Sequence, residues 1–298
     1  GILGVQMQSV GEVMAIGRTF RDSLQKAFQS LEVGLSGLEP KVTEYRDLDM
    51  TKIGLGTAFR LLKVKQAFDE GHSIEELYEK TNIDYWFLNQ IQQISFIKKH
   101  KTSLDKDLLF FLKQEGFSDI QIAQKFSINI KKVIDMRNEY KINPTFKSVD
   151  TCAAEFSAHT PYCYSVYETE HEIQPLEGQK IMILGSGPTR IGQGVEFDYC
   201  CVQAILGLKE AGYKTIMYNC NPETVSTDFD ISDRLYFEPL TFEHVMNVIN
   251  FEKPDGVLIQ FGGQTPLNIA NQLKQNNVNI IGTDSSSIDL AEDRKKFG

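Results

Sequence analysis

Residue types and spacing first suggest chemistry at Gly185-Ser186-Gly187-Pro188-Thr189-Arg190-Ile191-Gly192-Gln193-Gly194. This stretch follows an apolar run, Lys180–Leu184, and precedes a helical pattern over Phe197–Ala211. Glycines between a strand and a helix let backbone approach an anion held at the helix N-terminus. Two phosphate-binding patterns come close, and neither is complete. The dinucleotide fingerprint needs its third glycine where Arg190 stands, and the next strand ends on Asn219 instead of the acid that holds a ribose. The mononucleotide loop fits as far as Gly187 and Gly192. It then needs Lys and Ser or Thr, and finds Gln193 and Gly194. The structural alternative is a tight strand-to-helix turn with Arg190 as a polar contact.

Two carboxylates fall near the same loop. Glu196 follows it directly, and Glu223 closes Asn221-Pro222-Glu223 after the strand Lys214–Asn219. Paired carboxylates in one crevice suit acid–base work, and they serve equally as helix caps or partners of Arg190. Asp198 is placed to cap the helix that follows. No catalytic residue, cofactor site or metal site is assigned. The five His lack ligand spacing, and Cys152, Cys163, Cys200, Cys201 and Cys220 contain no C-x-x-C pair, which fits reduced intracellular thiols.

A second stretch, Gly116–Ile128 with Val133, Ile134 and Arg137 behind it, has the look of a helix-turn-helix. Lys131, Lys132 and Arg137 would then meet phosphates. Residues 116–140 hold four Lys or Arg against three Asp or Glu, about +1, inside a chain of net charge −9. A DNA reader needs a basic stripe, so two short helices packing steeply are the better reading, and no nucleic-acid partner is expected.

The elements that must position these groups change character along the chain. A helix is expected to follow Thr19, with Phe20, Leu24, Ala27, Phe28 and Leu31 at helical spacing and Gly34 as the stop. Residues 32–145 read as short helices. Capping boxes are expected at Ser73–Glu76 and Ser118–Gln121, and further caps at Asp84 and Ser103. Residues 146–178 are mixed, with Pro175-Leu176-Glu177-Gly178 as a linker. Strands and helices then alternate. Strands are expected at Lys180–Leu184, Lys214–Asn219, Gly256–Gln260 and Asn279–Ile281, and helices at Phe197–Ala211, Phe242–Asn250 and from Pro266 onward. Such alternation implies a parallel sheet covered on both faces, though four strands are few for a dinucleotide-binding domain.

The chain has 298 residues, 41% hydrophobic and 24% charged, ordinary values for globular domains. It has no apolar run long enough to span a bilayer. It opens on Gly1-Ile2-Leu3-Gly4-Val5 without a basic leader or initiator Met, and stops within a charged helical pattern at Asp293–Gly298. The expectation is a piece of a longer cytoplasmic protein.

Several longer strings carry a resemblance. Ser9–Arg18 resembles the end of the first synthetic half of carbamoyl phosphate synthetase large subunits. Asn82–Leu88 and Val149–Phe156 resemble their central helical domain. Arg190–Cys200, Asn219–Asp228 and Gln260–Leu267 are similar to the opening of the second half. The strings follow the family's order along essentially the whole chain.

The resemblance implies a multidomain α and α/β architecture. Residues 1–31 would be the tail of the first ATP-grasp half and 32–172 an all-helical oligomerisation domain. Residues 173–298 would be a small Rossmann-like pre-ATP-grasp domain of the half that phosphorylates carbamate. It implies a ligase that makes carbamoyl phosphate from two ATP, bicarbonate and ammonia released from glutamine by a small subunit. Mg or Mn with ATP, and K, would bind mainly outside this piece, leaving it inactive alone. Glu196 and Glu223 would face an internal carbamate passage beside Arg190, with Glu12 at its entrance. The rival readings are a dinucleotide-dependent oxidoreductase domain and a helix-turn-helix DNA-binding adaptor.

Overall fold

The computed structural model describes residues 5, 11–39, 48–96, 103–156, 158, 161–190 and 196–283, with the backbone alone at 196 and 197. It divides into two compact units, one built on Gly17–Asn143 and the other on Glu12–Ile16 with Pro144 onward. The resemblance implied domains meeting at 172/173; two strands from the mixed region before that point join the sheet of the second unit.

The first unit is helical. Its helices are α1 (Phe20–Ser30), α2 (Arg60–Glu70), α3 (Ile74–Thr81), α4 (Tyr85–Phe96), α5 (Lys106–Gln114), α6 (Asp119–Phe126) and α7 (Ile130–Tyr140). Every start but that of α2, which follows Phe59, satisfies free backbone N–H groups by a side chain. The hydroxyl of Thr19 accepts from Asp22 N at 3.2 Å and that of Ser73 from Glu76 N at 3.1 Å. Asp84 accepts from Trp86 N at 2.8 Å. Ser118 and Gln121 close both halves of a capping box, whereas the Glu76 carboxylate turns instead to His72. The cap of α5 is Asp105, not Ser103, because Asp105 Oδ1 reaches Leu108 N at 2.8 Å.

Such short helices bury modest apolar area, and charges fill part of the interior. Lys65 is 1% exposed and pairs with Glu39 and Asp69, and Asp69 also accepts from Ser95. Asp119 sits between Lys113 at 3.1 Å and Arg137 at 2.6 Å. Arg137, considered above as a phosphate contact, is therefore buried as an internal counter-ion. One aromatic face stays outside. Tyr78 stacks on Tyr85 at 4.3 Å, while Trp86 and Phe87 meet Phe20 edge-on at 5.4 and 5.3 Å. Tyr85, Trp86 and Phe87 are all exposed.

The second unit holds β1 (Thr145–Ser148), β2 (Tyr162–Val166), β3 (Lys180–Leu184), α8 (Glu196–Glu210), β4 (Lys214–Asn219), β5 (Arg234–Phe237), α9 (Phe242–Glu252), β6 (Gly256–Leu258), α10 (Gln264–Gln275) and β7 (Ile280–Ile281). The strands form one sheet in the order β1-β2-β5-β4-β3-β6-β7. Every neighbouring pair is parallel except β1 with β2. The expected four strands are present and three more join them. The strand-count argument against a dinucleotide-type sheet therefore fails, since β5-β4-β3-β6-β7 has the doubly wound order.

Both faces of this sheet are covered, which explains its nearly continuous apolar strands. Met182 and Leu184 point to one side with Ile216 and Tyr218, under α9 and α10. Ile181 and Ile183 point to the other with Met217, under Cys201 and Ile205 of α8. Ile16 packs on that second face. Residues expected to act as a linker are instead strapped down. Leu176 packs on the first core, its N–H donates to Glu252 at 2.9 Å and its carbonyl accepts from Lys180. Pro266 is the third residue of α10, not the first, and is still within the turn where N–H groups have no intrahelical partner.

Gly262 lies against the end of β3. A Cβ there would sit 2.6 Å from the Leu184 carbonyl oxygen and closer still to that of Gly185. Gly262→Ala is expected to lower the unfolding free energy of the second unit by about 1–3 kcal/mol through overpacking against backbone. Urea titration followed by tyrosine fluorescence checks this.

His171 stacks on Phe251 at 4.8 Å, and its Nδ1 accepts from Phe146 N at 3.2 Å. Burial, and then the charge of Lys147, hold its pKa below the usual histidine value. The unfolded chain therefore takes up a proton near pH 6.5 that the folded chain resists. The stabilisation is complete above that pH and is lost progressively below it. Thermal midpoints measured from about pH 7.5 down to about pH 5.5 should fall less steeply for His171→Phe than for the parent.

Candidate functional site

The order of the sheet reverses at β3, with β4 on one side and β6 on the other. Ligand crevices in open parallel sheets form at such a reversal, outside the carboxyl ends of the strands. Three turns meet there: Gly185–Arg190 after β3, Asn219–Thr227 after β4 and Gln260–Gly263 after β6. Gly185 N donates to Tyr218 O at 2.8 Å, and the Thr265 hydroxyl donates to Ser186 O at 2.9 Å. The first turn is thereby tied to its neighbours on both sides. Gly187 has φ +75°, a left-handed conformation that favours glycine.

Asn219 organises this end of the sheet. It is fully buried, and one amide atom lies 3.1 Å from Gly187 N, 2.9 Å from Cys220 N and 3.4 Å from Asn221 N. Three N–H groups converging on one atom identify it as the oxygen. Nδ2 has no hydrogen-bond partner among the described residues and rests against Gly185, where a Cβ would stand 2.6 Å from it. Leaving one buried donor unpaired costs about 1–3 kcal/mol, which the three accepted bonds offset. The sequence argument noticed Asn219 as a missing ribose acid. Its role here is to bind the protein's own backbone.

The four candidate residues are placed as follows. Glu12 forms a two-bond bridge with Thr189, N to O at 2.9 Å in each direction, and Met14 N donates to Cys220 O at 2.8 Å. The segment Glu12–Ile16 therefore runs along the ends of β3 and β4 as part of the second unit. Glu12 is exposed. Arg190, next to Thr189, is half-buried. Glu223 is exposed, and its N–H donates to Asn221 Oδ1 at 2.9 Å. The backbone of Glu196 opens α8, while its side chain and residues 191–195 lie outside the described residues. Asp198 is not an N-cap. It is the third residue of α8, and its carboxylate accepts from Ser226 N at 3.1 and 3.3 Å, tying α8 to the short 3-10 turn Val225–Thr227.

The backbone thus brings Glu12, Thr189–Arg190 and Asn221–Glu223 to one crevice. Sequence reasoning passed over Thr189 and Asn221, which connect them. The available signal was the Asn-x-Asn-Pro string, whose residue types hydrogen-bond their own backbone in turns.

Burial pushes the Cys163 and Cys201 thiols up to about 12, which does not suit thiolate chemistry at either. Among the described residues, no three His, Cys, Asp or Glu side chains come together to hold a metal. None of the described helices is long and apolar enough to cross a membrane.

A family model described as carbamoyl-phosphate synthetase large chain, oligomerisation domain, matches residues 12–141. One described as carbamoyl phosphate synthase preATP-grasp domain matches residues 177–290. The carbamoyl phosphate synthase large chain of Pseudomonas aeruginosa is 51% identical over 304 residues. That of Haemophilus ducreyi is 53% identical over 300 residues and that of Neisseria meningitidis serogroup B 51% over 302. Each alignment takes in 99% of this chain and 28% of the relative, so the chain spans little more than a quarter of the curated relatives it matches. With both models matching in order and about half of all positions identical, the chain belongs to the carbamoyl phosphate synthase large-chain family.

Proposed function

We propose that this chain is the scaffold and conduit segment of a glutamine-dependent carbamoyl phosphate synthetase. The parent, a cytoplasmic carbon–nitrogen ligase of arginine and pyrimidine biosynthesis, converts two ATP, bicarbonate and glutamine-derived ammonia into carbamoyl phosphate. The helical unit serves association between copies, and the crevice at β3 and β4 forms part of the passage that carries carbamate to the second phosphorylation. The chain alone is not catalytic. The observation that carries this reading is the family match across both units, with the backbone pairing that gathers Glu12, Arg190 and Glu223 at one set of strand ends.

The turn after β3 lacks the lysine of a phosphate loop. We place ATP, its Mg or Mn, and K in parts of the large subunit beyond this chain. The glutaminase small subunit engages the complete large subunit, and neither nucleic acid nor a membrane is a partner.

Chemically, the crevice offers carbamate both signs of charge. Arg190 complements its carboxylate, while Glu223 and Glu12 accept from its amino group. In the complete enzyme, Glu223→Gln should leave bicarbonate-dependent ATP hydrolysis running. Carbamoyl phosphate formed per ATP should fall by roughly tenfold, the scale of one charge-assisted hydrogen bond. An unchanged ratio contradicts the passage.

The exposed aromatic face of α3 and α4 supports association, since contiguous apolar surface of this kind marks interaction sites. Sedimentation velocity of this chain over a wide concentration range should show a concentration-dependent dimer or larger species. A strict monomer throughout would remove the association role from these residues acting alone.

A further inference from the structure

The amide oxygen of Asn221 receives two donors from different turns. The Thr189 hydroxyl donates to it at 2.5 Å and Glu223 N at 2.9 Å. Asn221 is 8% exposed, so the accepting oxygen is sheltered while its two donors lie nearer the surface. Thr189 is in turn paired through its backbone with Glu12 in both directions. Pro222 lies between Asn221 and Glu223 and fixes φ there, and its ring disfavours the helical region for Asn221 before it. With φ fixed at Pro222 and the N–H of Glu223 anchored, little freedom remains at Glu223 beyond its side-chain rotamers.

We propose that Asn221, clasped by Thr189, is a positioning residue that sets Glu223 against the Glu12–Arg190 side of the crevice. The clasp joins the turns after β3 and β4 through one buried oxygen, and it acts on the ligand only through Glu223. This rests on the reading of the crevice as part of the carbamate passage.

The test uses the complete large subunit with its small subunit and reads carbamoyl phosphate formed per ATP hydrolysed. Thr189→Val removes the hydroxyl at nearly constant shape, and Asn221→Ala removes the acceptor. Each should lower the ratio by about three- to tenfold, the range of one or two lost hydrogen bonds. Thr189→Ser and Asn221→Asp, which keep the donor and the acceptor, should restore it. Adding Thr189→Val to Glu223→Gln should cause no further loss. General structural damage would instead lower ATP hydrolysis and product together.

The proposal is overturned if Glu223→Gln uncouples the enzyme and Thr189→Val does not, or if their effects multiply. If Glu223→Gln leaves the ratio intact, the passage reading fails, and the clasp fails with it. Should Asn221→Ala not fold, the Thr189 pair decides the question.

Discussion

The carboxamide of Asn219 is the constraint on which the strand ends of the second unit depend. A parallel sheet covered on both faces leaves its carboxyl-end turns nowhere to hide their N–H groups except in one another. Asn219 Oδ1 answers three of those groups from within the sheet. Its bulk then requires glycine at position 185, where any side chain would collide with the amide. The close approach of Gly262 to the Leu184 and Gly185 carbonyls completes the seam between β3 and β6. Gly185, one of the glycines that first suggested a phosphate loop, is thus demanded by packing, and Gly187 by its left-handed backbone.

The two units solve the problem of a stable interior differently. The sheet uses apolar burial on two faces, with one ionic knot at its lower end, where Glu252 accepts from Arg234, Tyr236 and Leu176 N. The helical unit, with helices of eight to twelve residues, places Lys65, Lys113, Asp119 and Arg137 inside. Removing one member of such a cluster strands the others in a low dielectric, so its worth lies in fixing which short helix meets which. Arg137 shows the consequence for function. A basic residue in a helix-turn-helix pattern is consumed internally, and the pattern loses its phosphate-facing charge.

Much of this was legible in the sequence. Long apolar strands, helix caps and the change of texture near position 179 each follow from local physics, and β3, β4, β6 and β7 lie where that physics puts them. The missing strands share a reason. β5 has four residues and opens with Arg234, whose head group is spent on Glu252, so it shows little alternation. β1 and β2 pair with each other over a long connection, and β2 docks parallel to β5. Such pairings are set by tertiary partners, not by local pattern. For the same reason the carboxylates could be singled out but not their arrangement. Nothing in Glu12 and its neighbours announces an antiparallel bridge to Thr189, and the link through Asn221 depends on a side chain with no place in any nucleotide motif.

The path of the backbone between the units carries one more consequence. Glu12–Ile16 belongs to the sheet-bearing unit although it precedes helices α1 to α7 in the chain. A single cut between Asn143 and Pro144 therefore releases neither part whole: the downstream piece lacks five residues that close its own strand ends. A sheet unit transplanted from that cut arrives with the backbone of Thr189 and Cys220 stripped of the partners that Glu12 and Met14 supply, and needs a host that brings the same ribbon.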